Sequence, residues 1–128
     1  ELAERLKAMG HVAGIVSRGY GGNATQLPML VTVDSVATQV GDEALLLAER
    51  TGCPVMVDHD RARAARELLG DQSKHGIDVI ISDDGLQHCA LGRDAEIVVH
   101  DSKIAAQNSR LLPAGPWRES VSGLNRYD

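Results

Sequence analysis

The chain has 128 residues, 43% hydrophobic and 24% charged, with 13 basic and 18 acidic side chains giving a formal net charge of −5. That is the size of one domain able to bury a core, and no apolar run approaches the length of a membrane-spanning helix. An acidic balance with one Trp, two Tyr and no Phe leaves nucleic acid without a basic surface or stacking platforms, so it is not expected as a partner, while two cysteines far apart suggest neither a disulfide framework nor a zinc site.

Leu2, Leu6 and Met9 recur at helical spacing and Gly10 follows as a stop. No signal core precedes them, and the opening resembles the middle of an amphipathic helix, which places the natural start upstream. Val12 to Val16 then reads as a strand, and Met29 to Val33 as another after the glycine-rich stretch Gly19 to Asn23. A helix is predicted from Asp42 through Glu49, and a short strand at Pro54 to Val57. Asp60 suits the cap of a helix from Arg61 to Leu69, with Ala62, Ala65, Leu68 and Leu69 on its apolar face. Strands are predicted at Ile77 to Ser82 and at Ala95 to Val99. Short apolar strands alternating with helices argue for an α/β fold, a mainly parallel sheet with helices on both faces. From Asp101 to Asp128 periodicity fades and Pro113, Gly115 and Pro116 prevent a continuous helix, so this tail reads as a long loop or a crossing into a further domain.

The run Val79-Ile80-Ile81-Ser82-Asp83-Asp84-Gly85-Leu86-Gln87-His88 carries the most chemistry. A continuous β-branched run is the mark of a parallel strand covered on both faces, and ligands of such sheets collect beyond the carboxyl ends of the strands. Two adjacent carboxylates are costly there unless a cation or basic group offsets them, and Mg²⁺ is commonly held by one or two carboxylates together with phosphate oxygens. Asp-Gly is also an ordinary turn signal. His88, just beyond, can orient a substrate or exchange a proton, or can be a satisfied structural imidazole.

Ser17-Arg18-Gly19-Tyr20-Gly21-Gly22 leaves a strand end, where glycines allow close backbone approach to a ligand and Arg18 suits a phosphate. The alternative is a glycine-rich connection with Tyr20 packed over it. Asp42 and Glu43 open a helix, and Asp42 meets the positive end of the dipole; capping explains it as well as catalysis does. If it faces a cleft shared with Asp83 and Asp84, it can accept a proton from an attacking hydroxyl. Asp58-His59-Asp60-Arg61 is read as an exposed capping loop rather than a metal site, Arg93-Asp94 as a surface pair or turn, and Leu111 to Glu119 as a packed loop whose Arg118 suits an anion.

Taken in order, SRGYGG, VGDEALLLAERTGCPV, DRARAA, VIISDDGLQH, LGRDAEIVVHD and LLPAGPWRE resemble the tetraacyldisaccharide 4′-kinase family, the lipid A 4′-kinases of Gram-negative bacteria, over nearly the whole chain. ISDDGLQH and LLPAGPWRE together, in this spacing, are specific. The resemblance implies a P-loop NTPase fold and transfer of the γ-phosphate of ATP to the 4′-hydroxyl of a tetraacyldisaccharide 1-phosphate lipid at the cytoplasmic face of the inner membrane, with no protein partner evident. It implies Asp83 and Asp84 as Walker B acids holding Mg²⁺ with help from Glu43, and Asp42 as the catalytic base. Arg18, Tyr20, Gln87, His88 and Arg118 match positions around the nucleotide phosphates or the lipid head group.

No G-x-x-x-x-G-K-[ST] occurs in the sequence, and the resemblance places that segment, with its lysine, ahead of the opening helix. It also places a C-terminal domain, which supplies a histidine to the base, beyond the end. Residues 1–128 are therefore expected to be a partial nucleotide-binding kinase core, incomplete at both ends, with 101–128 leading toward the absent domain. Ile104 to Ser109 departs from a stretch usually richer in glycine, with Asn108 the recognisable residue. The isolated chain is expected to be nearly inactive, because phosphoryl transfer depends on positioning. The rival functions are a nonenzymatic module binding a nucleotide or anionic lipid through Arg18 and Arg118, and a phosphohydrolase with an aspartate nucleophile, which adjacent aspartates fit poorly.

Overall fold

Successive side chains of a strand point to opposite faces, so short apolar runs covered on both sides can feed two cores at once. The computed structural model describes residues 1–70, 76–101, 103 and 108–127. They fall into two units, Glu1–Gly92 and Arg93–Asp128.

In the first unit, α1 (Leu2–Ala8) leads into β1 (Ala13–Ser17), followed by β2 (Met29–Val31), α2 (Ala37–Val40), α3 (Asp42–Thr51), β3 (Val55–Val57), α4 (Arg61–Gly70) and β4 (Val79–Ser82). The strand order is β2-β3-β1-β4. β1 is parallel to both neighbours, with Ile15 opposite Val55 on one side and Ile81 on the other. β2 runs antiparallel to β3. Ile15, Val55 and Val57 face one core, with Val31 of the sheet edge and Val40 and Ala44 of α2 and α3. Val16 and Met56 face the other, against Ala64, Ala65 and Leu68 of α4 and against Ile77. Each fully buried aliphatic side chain of this kind contributes about 1.5–3 kcal/mol. The mainly parallel sheet with helices on both faces is thus as the sequence indicates.

Local signals place the helix ends. Gly52 ends α3 in the left-handed conformation, φ 62°, and its N–H donates to the Ala48 carbonyl at 2.9 Å. Asp60 caps α4, its Oδ1 accepting the Arg63 N–H at 3.0 Å. Several expectations need correction. The strand expected from Ile77 begins at Val79 and, as the edge strand β4, is half-buried rather than covered on both faces. β2 stops at Val31, leaving Val33 fully exposed. The single turn α2 is too short to print a period in the sequence. Ala95 to Val99 forms no strand, with Ile97 60% and Val99 91% exposed; an apolar run becomes a strand only where a neighbour completes its ladder, and composition does not supply the neighbour.

In the second unit, Leu111 and Trp117 form an isolated bridge around the Pro113–Pro116 bend. Asn108 ties the bend together: its side-chain amide donates to the Ala114 carbonyl at 3.3 Å, its Oδ1 accepts the Arg110 N–H at 2.8 Å, and its carbonyl accepts Trp117 Nε1–H at 2.9 Å. Leu111 to Glu119 is thus a hydrogen-bonded loop but not the packed one expected, since Leu111 and Leu112 are exposed, 46% and 60%. A 3₁₀ turn, Val121–Arg126, closes the unit, and Arg126 pairs with Glu119 at 2.6 Å. Arg93 pairs with Glu96 at 2.6 Å rather than with its neighbour Asp94. The departure from family pattern at Ile104 to Gln107 lies outside the described residues.

Candidate active site

The chain passes from β1 to β3 on one side, then through α4 to β4 on the other, which makes the carboxyl end of β1 a topological switch point. Open α/β sheets bind ligands in the crevice that opens there. Three parallel strands end on that edge in polar residues: Ser17 as the last residue of β1 with Arg18 after it, Asp58 after β3, and Asp83 and Asp84 after β4.

Asp83 is held closely. Its N–H donates to the Val16 carbonyl at 3.0 Å, extending the β1–β4 ladder by one step, and the Ser17 hydroxyl lies 3.5 Å from its Oδ2. Burial pushes its carboxyl up, and the neighbouring Asp84 adds to the shift, while Arg61 and Ser17 oppose it. Asp84 is exposed and takes a left-handed backbone, φ 47°, which makes it the non-glycine residue with positive φ among those described. Two adjacent carboxylates and a hydroxyl are hard oxygen donors and fit a hard divalent cation. Among the described residues no group of three or more His, Cys, Asp or Glu could hold a metal by itself, so phosphate or water would supply the remaining donors.

Asp42 reaches the same edge through backbone packing. A Cβ on Gly41 would lie 2.3 Å from the Tyr20 carbonyl oxygen, and one on Gly22 would lie 2.3 Å from that of Gln39. The N–H groups of Asn23 and Ala24 donate to Thr38 and Gln39 at 2.9 and 3.1 Å. The glycines after β1 therefore admit the α2–α3 junction against the strand end, and Asp42 and Glu43, both exposed, start α3 beside it. Tyr20 is 83% exposed, not packed over its loop.

Gln87 is exposed and His88 half-buried in the turn beyond Asp84, where the His88 N–H donates to the Gly85 carbonyl at 2.9 Å and Nε2 is buried without a hydrogen bond among the described residues. Arg118 is exposed in the second unit. Arg18, Asp42, Glu43, Tyr20, Asp83, Asp84, Gln87 and His88 all belong to the first.

Asp58 to Arg61, expected as an exposed capping loop, is buried at both ends, so sequence reasoning missed the parts played by Asp58 and Arg61. Asp58, fully buried, accepts both Arg63 Nε–H and Nη2–H, at 2.6 and 2.8 Å, and the Asp60 N–H at 3.0 Å. Burial works against its ionisation, but Arg63 and the Asp60 N–H outweigh burial and hold the carboxyl below its ordinary range. Arg61, 5% exposed, donates from Nη2 to the Asp83 carbonyl at 3.3 Å. Burial lowers its guanidinium, as does Arg18 nearby, against Asp83, Asp84 and Asp58. A polar residue directly after a three-residue apolar strand was the available signal for Asp58; nothing in the sequence separates Arg61 from a surface residue of its helix.

A family model described as tetraacyldisaccharide-1-P 4′-kinase matches residues 1–128. The tetraacyldisaccharide 4′-kinases of Pseudoalteromonas atlantica and Nitrosococcus oceani are each 50% identical over 127 residues, which is 99% of this chain and 41% and 37% of theirs. A crystal structure of an "apo" form LpxK from Aquifex aeolicus in complex with ATP matches with a TM-score of 0.76 at 28% identity, covering 99% of this chain and 40% of that one. The chain thus spans about two-fifths of the length of these relatives. It belongs to the tetraacyldisaccharide-1-P 4′-kinase family.

Proposed function

We propose that this chain is part of the nucleotide-binding core of an ATP- and Mg²⁺-dependent lipid kinase that transfers the γ-phosphate of ATP to the 4′-hydroxyl of a tetraacyldisaccharide 1-phosphate. The observation that carries the proposal is the aspartate pair at the carboxyl end of β4, beside the switch point and on the same edge as Asp42. Family membership over the full 128 residues and the ATP in the Aquifex relative support it.

In this reading Asp83 and Asp84 would hold Mg²⁺, with phosphate or water completing its shell, since no third acid joins them among the described residues. The ion would neutralise charge on the phosphates. Glu43, expected to help the metal, starts α3 beside Asp42. Asp42 accepts the proton of the attacking hydroxyl. It stands exposed in the first turn of α3, where a hydroxyl can approach it. Arg18, at the end of β1, meets phosphate oxygens, while Tyr20, Gln87, His88 and Arg118 contact nucleotide phosphate or lipid head group. No helix among the described residues is long and apolar enough to cross a membrane. The lipid substrate brings the intact protein to a membrane surface, the cytoplasmic face of the inner membrane.

The test uses the intact protein with ATP, Mg²⁺ and the lipid acceptor. Asp42→Asn is expected to lower kcat by about 100-fold or more with little change in KM for ATP, the loss typical of a general base. Absence of lipid phosphorylation by the wild type overturns the kinase function, and a wild-type kcat in Asp42→Asn overturns the role of Asp42. The 128-residue chain alone, which contains no G-x-x-x-x-G-K-[ST], is expected to show negligible transfer.

A further inference from the structure

Arg61 is the first residue of α4, at the positive end of that helix, and is 5% exposed. Each of these conditions disfavours a guanidinium, and the nearby like charge of Arg18 adds a third. Its Nε is buried without a hydrogen bond among the described residues. An apolar side chain of similar length would fill this space at lower cost to the fold. Such local penalties are characteristic of functional positions.

The hydrogen bond that Arg61 makes shows what the position gains. Nη2 donates at 3.3 Å to the carbonyl of the peptide joining Asp83 to Asp84. The peptide on the other side of Asp83 is held by its N–H on the Val16 carbonyl at 3.0 Å. Both planes flanking Asp83 are therefore fixed, one by β1 and one by Arg61. The second plane is the one about which Asp84 takes φ 47°, a conformation that costs a non-glycine residue energy and persists only where the surroundings impose it.

We propose that Arg61 is a positioning residue for the aspartate pair: by gripping the Asp83–Asp84 peptide it sets the left-handed backbone of Asp84 and hence the relative aim of the two carboxylates at a divalent cation. It touches neither substrate nor the cation. The proposal rests on the kinase function above for its kinetic readout and on the aspartate pair alone for its binding readout.

The experiment measures Mn²⁺ binding to the intact protein by electron paramagnetic resonance, beside kcat, KM and Tm, for the wild type, Arg61→Met and Arg61→Lys. Arg61→Met removes the donor and keeps the bulk. It is expected to weaken Mn²⁺ binding and lower kcat by about 10- to 100-fold, the usual effect of losing a residue that orients ligands, with KM for the lipid unchanged and Tm unchanged or raised. Arg61→Lys, keeping the charge and one donor, falls between the two. Wild-type Mn²⁺ affinity in Arg61→Met overturns the proposal, including the case where kcat and Tm fall together, which marks a merely structural residue. If Arg61→Met does not fold, Arg61→Lys carries the test: weakened Mn²⁺ binding supports the role and wild-type binding overturns it. If the wild type phosphorylates no lipid, the kinase function fails while the Mn²⁺ comparison still decides Arg61.

Discussion

Replacing Gly41 by alanine tests whether Asp42 is placed by the backbone contact between the α2–α3 junction and the loop after β1. Gly41 has φ 87° and ψ 148°, a region that alanine enters only with strain of about 1–3 kcal/mol. The added Cβ would lie 2.3 Å from the Tyr20 carbonyl oxygen and 3.2 Å from the Gly19 carbonyl carbon. Carbon–oxygen contacts close at about 3.3 Å, so the two segments must part by roughly 1 Å. Both partners are main chain, so no rotamer change relieves the overlap, and overpacking of this kind costs about 1–3 kcal/mol. Together these give a loss of about 2–6 kcal/mol. Gly52 is the matched control: it too has positive φ, 62°, but a Cβ there meets nothing within 4 Å. Gly52→Ala is expected to lose only the conformational part, about 1–2 kcal/mol, with kcat unchanged. Urea denaturation of the intact protein compares the two, and steady-state kinetics measures the consequence at the site. A displacement of about 1 Å at a catalytic group can cost about 100-fold in rate, which is the expected fall in kcat for Gly41→Ala. Equal stability losses for the two variants, or a Gly41→Ala protein that loses stability and keeps its kcat, would refute the reasoning.

Two aspartates on the same edge should respond to pH with opposite sign. The Asp58 carboxyl is depressed below its ordinary value, so its stabilisation is fully present above the unfolded carboxylate range and is lost as pH falls through the folded value. Asp58→Asn, which turns an amide toward Arg63, is expected to lower Tm by several degrees at pH 7 and by less in acid; an equal loss at both pH values would contradict the ion-pair account. The Asp83 carboxyl is raised, so the folded chain keeps a proton that the unfolded chain releases, and Asp83 subtracts stability as pH climbs from the unfolded to the folded value. Asp83→Asn is expected to stabilise the metal-free protein at pH 7 by about 0.5–2 kcal/mol, an advantage that vanishes in acid, while Mn²⁺ binding is lost. A destabilised Asp83→Asn protein at pH 7 would show that Asp83 is held by favourable contacts rather than against burial and Asp84.

What the sequence made legible follows from how local the signal is. Val79 to Ser82 is legible as a strand because its run is continuous and ends in polar residues, although at the edge of the described sheet it is half-buried rather than covered on both faces. Asp60 and Gly52 mark helix ends through bonds to residues three or four away. Ala95 to Val99 is similarly apolar and forms no strand, since a ladder depends on residues distant in sequence. The candidate site divides in the same way. Asp83 and Asp84 are visible because adjacent carboxylates after an apolar run need an explanation within ten residues. Asp42 is visible only as a helix cap until the Tyr20 carbonyl is seen against Gly41. Arg61 carries no sequence mark, because its meaning comes from a carbonyl 22 residues away.

The two edges of the sheet differ in a way that points to function without the family. At the amino edge, Asp78 accepts the Val12 N–H at 2.9 Å and pairs with His11 at 3.0 Å, and the His11 hydrogen bond holds its carboxyl below the ordinary range. That edge joins β1 to β4 through groups that satisfy one another. At the carboxyl edge, a half-buried carboxyl is raised by burial and a neighbouring carboxylate, a non-glycine residue sits at φ 47°, and a guanidinium is buried at the positive end of a helix with a donor unmet among the described residues. Stability alone selects against each of these, and random imperfection would scatter them over both edges. Their concentration at the switch point is consistent with the proposed function: a cation would give the carboxylates a counter-charge and a phosphate would give the arginines an anion, relieving costs that folding left in place.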